Sequence, residues 1–211
     1  MRKLFGTDGV RGIAGEFLTY SLAESIGFAL GKILDAEKNR APKVLIGTDT
    51  RESRTFLKEA LAKGLSRTGA LSYDVDVVST PAVAYLTKKY CFDAGVMISA
   101  SHNSYEYNGI KIFGSDGFKL SDEEEERIEE LIFSEPLPEC DCAIKLIPSF
   151  DLKREYEEYL KSHIEFNLST IRAIVDCANG SAYSTAKEVF ESAGLNAEYI
   201  GCEPEDRKSV V

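Results

Sequence analysis

The stretch Gly95-Val96-Met97-Ile98-Ser99-Ala100-Ser101-His102-Asn103 decides the fold, because an apolar run of strand length breaks at once into small polar residues. A short apolar run bounded by turn residues reads as a buried strand. Downstream, Gly109-Ile110-Lys111-Ile112-Phe113-Gly114 alternates in hydrophobicity and predicts a second strand returning beside the first. Upstream, Lys43-Val44-Leu45-Ile46-Gly47 and the alternating residues 73–78 predict two more. Helical patterns lie between them. Leu22, Ile26, Ala29, Leu30, Ile33 and Leu34 give a helix over 20–36, with Ser21 and Glu24 as a capping box at its front. Residues 56–68 give another, and Pro81 opens a third over 81–90. Strands alternating with helices predict an α/β fold, a three-layer αβα domain around a mixed, mostly parallel sheet.

Further along, Ser121-Asp122-Glu123-Glu124 forms a second capping box, and Ile128, Leu131 and Ile132 give its helix an inner face. The acidic run 122–126 reads as a solvated first turn favoured by the helix dipole. Pro136, Pro138 and Pro148 then punctuate a segment without periodicity, which predicts a boundary between a first domain at 1–148 and a second at 149–211. In the second, Leu152, Tyr156, Tyr159, Leu160 and Ile164 make a helical stripe with His163 at its edge, read as a packing residue. The strand Ala173-Ile174-Val175-Asp176, the turn Asn179-Gly180, a helix over 182–193 and a strand over 197–200 amount to one βαβ unit. One such unit is too little for an independent open sheet, so the second domain reads as incomplete.

A chain of 211 residues, 44% hydrophobic and 28% charged, can bury one core and part of another. With 35 acidic against 25 basic residues and a net charge of −10, no nucleic-acid groove is expected. No run reaches the roughly 18 apolar residues of a membrane span. Glycines and charges over 6–11 interrupt any signal-peptide core, so a cytoplasmic protein is expected. The five cysteines, Cys91, Cys140, Cys142, Cys177 and Cys202, lack the density of a disulfide scaffold and read as reduced thiols. Cys140-Asp141-Cys142 has neither the spacing nor the partners of a zinc site.

In open α/β sheets ligands bind beyond the carboxyl ends of strands, which places Ser101, His102 and Asn103 where chemistry is expected. Taken alone, Ser101 also reads as a turn serine capping a helix. No G-x-S-x-G elbow and no G-x-x-x-x-G-K-[ST] loop is present, and the only other histidine is His163. A Ser-His-Asp hydrolase is hard to assemble, since an imidazole next in sequence to the serine is poorly placed to take its proton. Phosphoryl transfer needs less: an oxygen nucleophile and cations on the equatorial oxygens, which Ser101, His102, Lys111 and Arg11 could supply. A second, less favoured reading makes Lys111 a strand-edge lysine and Arg11 a surface partner of Asp8. Asp49 and Arg51 read as structural, with Arg51 a minor candidate.

Three motifs in order carry a resemblance: Phe5-Gly6-Thr7-Asp8-Gly9-Val10-Arg11-Gly12, Gly47-Thr48-Asp49-Thr50-Arg51, and Ile98-Ser99-Ala100-Ser101-His102-Asn103 followed by Asn108-Gly109-Ile110-Lys111. Together they resemble the α-D-phosphohexomutase superfamily, most closely its branch acting on glucosamine phosphate, over about residues 3–201. The resemblance implies that Ser101 carries a phosphoryl group, passes it to a hexosamine or hexose phosphate, and recovers another from a bisphosphorylated sugar. It implies a magnesium ion on the Ser101 phosphate, His102 in proton transfer or hydrogen bonding, and Lys111 and Arg11 neutralising phosphate. A homodimer is compatible with it and not required. Two departures stand out. Ser104 occupies the place of a usual proline, which loosens the turn, and no D-G-D-x-D-R magnesium loop is present. The chain therefore reads as an amino-terminal portion that ends before the metal-binding loop, with no mutase activity on its own.

Overall fold

The computed structural model describes residues 4–36, 40–139 and 142–204. Within them seven strands form one sheet: β1 (Phe5–Gly6), β2 (Gly9–Ile13), β3 (Lys43–Thr48), β4 (Leu71–Val77), β5 (Ala94–Ile98), β6 (Tyr107–Gly114) and β7 (Leu146–Pro148). Their order across the sheet is β1-β2-β6-β5-β3-β4-β7. From β5 to β7 neighbours run parallel, and from β5 back to β1 they run antiparallel. Only β1 and β6 therefore oppose the common direction, and the expected mixed, mostly parallel sheet is the one observed.

Strand alternation sorts the core into two layers. Val44 and Ile46, Val96 and Ile98, and Ile110 and Ile112 pack with α1 (Tyr20–Ala36), α2 (Arg54–Arg67) and α4 (Asp122–Ser134). Leu45, Met97 and Phe113, offset by one residue, face the opposite way, toward α3 (Thr80–Lys89) and α5 (Asp151–Lys161). A period of two in a sheet covered on both faces produces this split. Residues 97, 99, 109 and 111 thus turn toward the α3 face, and so does Arg11, because β2 pairs Arg11 with Gly109. Gly109 is needed there: a Cβ would stand 2.8 Å from the Ser99 carbonyl oxygen.

One local expectation is corrected. The front of α1 is capped by Thr19, whose Oγ1 accepts from the Leu22 amide at 3.2 Å; Ser21 lies inside the helix, and Glu24 is buried against Arg67 and Lys63. The Ser121 capping box of α4 is present as expected. Strands β1 and β2 have no apolar alternation to announce them. Glu129 of α4 holds this hairpin by accepting from the amides of Leu4 and Phe5 at 2.9 and 2.7 Å. β7 emerges from the proline-punctuated segment and adds to the edge of the sheet beside β4. Cys140 and Asp141 lie outside the described residues.

After β7, α5 turns its stripe back onto the first sheet: Tyr156 is buried, and Tyr85 of α3 stacks on Tyr159 at 4.0 Å. His163 packs against the Tyr159 ring at 4.5 Å. Then β8 (Arg172–Asp176), α6 (Tyr183–Ser192) and β9 (Asn196–Ile200) form the expected βαβ unit, a separate two-stranded parallel sheet.

Candidate active site

The exit of β3 packs against the polar loop after β5, where β3 ends in Asp49, Thr50 and Arg51. Asp49 and Arg51 are fully buried, and the Arg51 Nε donates to Asp49 Oδ2 at 3.1 Å. The four remaining guanidinium N–H bonds all reach carbonyl oxygens around the loop: Ser104 at 2.6 Å and Tyr107 at 2.9 Å from one nitrogen, Asn103 at 2.6 Å and Ser101 at 3.2 Å from the other. Five donors with five acceptors is the full capacity of an arginine. This placement agrees with the structural reading of Arg51, whose partners are backbone oxygens about 50 positions away that no motif displays.

The loop itself is a tight turn. Ser101 has φ +57°, the left-handed region that a residue with a Cβ enters only at a cost. Its amide donates to Ser99 Oγ at 3.0 Å, and that hydroxyl donates to Asp49 Oδ2 at 2.6 Å. Ser101 caps no helix, because the chain passes through turns straight into β6. Its exposed Oγ lies 3.4 Å from His102 Nδ1. Where a proline was expected, the Ser104 hydroxyl donates to Glu106 Oε1 at 2.6 Å, and this hydroxyl holds the Glu106 carboxyl below its usual range.

A cavity of about 130 Å³ opens beside the turn, lined by Ser99, Ser101, Met97, Lys111, Arg11, Asp8 and Thr80. Ser101, Lys111 and Arg11 are therefore brought together as expected, with His102 beside the serine. Lys111 lies on β6, an interior strand, which removes the strand-edge reading. Its Nζ is 2.7 Å from Asp8 Oδ1. Arg11 donates to Asn103 Oδ1 at 3.0 Å and stands 3.7 Å from Asp8 Oδ2, so the surface pairing with Asp8 occurs inside the same cluster. The hydrogen bond and charge of Lys111 hold the Asp8 carboxyl below its usual range. Thr80, the first residue of α3, brings a helix amino terminus to the cavity wall, where an anion is favoured. A larger groove of about 620 Å³ lies on the far side of the loop, but Glu52, Glu59 and Glu106 line it without a basic side chain, so a phosphate fits the small cavity better.

The turn 177–180 of the βαβ unit reaches this region through Thr50, whose Oγ1 donates to the Asn179 carbonyl at 2.6 Å. Cys177, at the exit of β8, is an unbridged thiol whose pKa is pushed up to about 11 by burial and by neighbouring Cys202, which makes it a poor nucleophile at neutral pH. Among the described residues no three His, Cys, Asp or Glu side chains converge to hold a metal ion.

A hydroxyl and two cations at one cavity of a three-layer α/β/α domain are groups that phosphoryl transfer can use. The family model for phosphoglucomutase/phosphomannomutase, alpha/beta/alpha domain I, matches residues 2–139, and the chain belongs to that family. It is 49% identical over 210 residues to the phosphoglucosamine mutase of Caldicellulosiruptor bescii, spanning 97% of this chain and 46% of that protein. It is 45% identical over 209 residues to the phosphoglucosamine mutase of Solibacter usitatus, spanning 98% and 46%. The chain thus spans about half the length of the curated relatives it matches. A crystal structure of a phosphoglucomutase/phosphomannomutase family protein from Burkholderia thailandensis superposes with a TM-score of 0.80 at 23% identity, over 96% of this chain and 44% of that one, and so shares the fold.

Proposed function

We propose that this chain carries the phosphoserine site of a phosphoglucosamine mutase, which interconverts glucosamine 6-phosphate and glucosamine 1-phosphate. The observation that carries the reading is the cavity that Ser101 shares with Lys111 and Arg11, on a fold whose curated relatives bear that name. Phosphorylated Ser101 gives its phosphoryl group to the sugar 1-hydroxyl: the Ser Oγ–P bond breaks, the O1–P bond forms, and a bisphosphorylated sugar results. That sugar turns over and returns its 6-phosphoryl group to Ser101 Oγ, leaving the 1-phosphate. In each transfer the attacking hydroxyl releases a proton and the departing oxygen gains one, exchanged through solvent; His102, with Nδ1 3.4 Å from Oγ, hydrogen-bonds the serine oxygen and relays its proton to that solvent, while Lys111 and Arg11 draw charge off the phosphoryl oxygens.

Magnesium would meet the phosphate on Ser101 and supply further charge neutralisation. The described residues offer no carboxylate cluster to complete its shell, so by themselves they do not fit the ion. For this reason we propose that residues 1–211 alone give no mutase turnover. Two domains, 1–148 and 149–211, belong to the same reading; β7 closes the first sheet at Pro148 and β8–β9 form a sheet of their own. A cytoplasmic location is supported by the unbridged thiols of Cys91, Cys177 and Cys202. No helix among the described residues is long and apolar enough to cross a membrane.

A hexose phosphate panel tests the substrate with the complete gene product. Glucosamine phosphate is expected to turn over fastest. Equal or faster conversion of glucose or mannose phosphate would replace the named substrate by a phosphoglucomutase or phosphomannomutase activity.

A further inference from the structure

We propose that Arg51 is the positioning residue of the Ser101 nucleophile, acting on both of its peptide groups at once. On the carbonyl side the guanidinium donates directly to Ser101 O at 3.2 Å. On the amide side the path runs through two residues: Ser101 N–H to Ser99 Oγ, Ser99 Oγ–H to Asp49 Oδ2, and Asp49 Oδ2 from Arg51 Nε. The left-handed turn at Ser101 is thereby closed into a ring anchored on one buried ion pair. The inference rests on the phosphoserine reading above and adds to it how the serine is held.

Three features favour positioning over mere packing. Arg51 spends four donors on the turn and one on its own counterion, so nothing in the arrangement is left for another element. Ser104, where backbone φ is not fixed by a ring, has its carbonyl oxygen gripped at 2.6 Å, and Tyr107, where β6 begins, is gripped at 2.9 Å. Arg51 is also absent from the cavity wall, so it reaches the reacting oxygen only through the backbone. Lysine has three donors on a point charge and cannot replace a planar fork that serves four carbonyls.

In-line transfer requires Oγ to be held within fractions of an ångström, and a displacement of about 1 Å costs on the order of 100-fold in rate. The test is the rate and final extent of Ser101 phosphorylation by a bisphosphorylated hexose, read by intact mass on the complete gene product. Arg51→Lys is expected to slow phosphorylation about 100-fold while still approaching one phosphate per chain, with KM changed less than about threefold. Lost folding would lower the final extent; lost positioning lowers the rate. Ser99→Ala removes the amide link without a buried charge, and is expected to react about tenfold more slowly to the same extent, the loss of about one hydrogen bond. It decides the matter if Arg51→Lys does not fold. Wild-type rates in Ser99→Ala, or in a folded Arg51→Lys, would overturn the clamp. Absence of phosphate on Ser101 in the wild type would instead overturn the phosphoserine reading, and the clamp with it.

Discussion

Lys111 Nζ lies 2.7 Å from Asp8 Oδ1, so a cation in the middle of the sheet meets a carboxylate from the β1–β2 turn at the cavity that Ser101 lines. The lysine is about three-quarters buried, its side chain 24% exposed, and faces the cavity rather than a neighbouring core residue. Lys111→Met is therefore expected to leave the melting temperature almost unchanged and to lower phosphoryl transfer by about 100-fold or more, the usual loss for one preorganised donor. Steady-state turnover beside a thermal melt checks this. Retained turnover would remove Lys111 from the site.

The same contact sets a pH dependence. Because the hydrogen bond and charge of Lys111 keep the folded-state pKa of Asp8 below its unfolded value, their stabilisation is present above the ordinary aspartate range. It is lost as pH falls through the depressed value. Between pH 5 and 8 the pair contributes no slope to stability, and its effect is small because Asp8 is exposed. An NMR titration of the Asp8 carboxyl carbon should give a midpoint below that of a free aspartate, and Lys111→Met should raise it toward the ordinary value, with Arg11 still lowering it. A midpoint unchanged by that substitution would assign the shift to another cause.

Ser101 sits at φ +57°, where only glycine is free of a steric penalty. Ser101→Gly is expected to be more stable than Ser101→Ala by about 1 kcal/mol, and neither should accept phosphate. Chemical denaturation of the two variants reads the difference. Equal stabilities would mean that the turn relaxes once the hydroxyl is gone.

At Gly109 a Cβ would stand 2.8 Å from the Ser99 carbonyl oxygen and 3.1 Å from that of Val10. Gly109→Ala must push β6 away from its neighbours, with an expected loss of about 1–3 kcal/mol by overpacking. Transfer by Ser101 should slow as well, since Ser99 N–H bonds the Gly109 carbonyl at 2.9 Å and carries the strand end that leads to the serine. Unaltered stability would show that these strands have slack.

Much of this arrangement was legible in the order of residues. The apolar run 94–98 marks β5 because both faces of the sheet are covered there, and the alternation 109–114 marks β6 because Ile110 and Ile112 face the core while Lys111 faces the cavity. Ser101, Lys111 and Arg11 meet as the motifs implied. β1 and β2 were not legible, since Gly6, Gly9 and Gly12 erase hydrophobic alternation and Glu129 on a distant helix holds the hairpin. Thr19, and not Ser21, caps α1 because one residue decides which hydroxyl faces the free amides. From sequence Arg51 reads as structural and as a minor candidate for the site. A charged residue that binds carbonyl oxygens leaves no pattern in the side chains around it, and only the folded loop displays its partners.

The most direct measurement is transfer of labelled phosphate from a doubly phosphorylated hexosamine to the complete gene product, followed by peptide mapping. The label should appear on Ser101, vanish in Ser101→Ala, and leave again when the sugar monophosphate is added. Label fixed on another residue, or none at all, would contradict the assignment of Ser101 as the phosphoryl carrier.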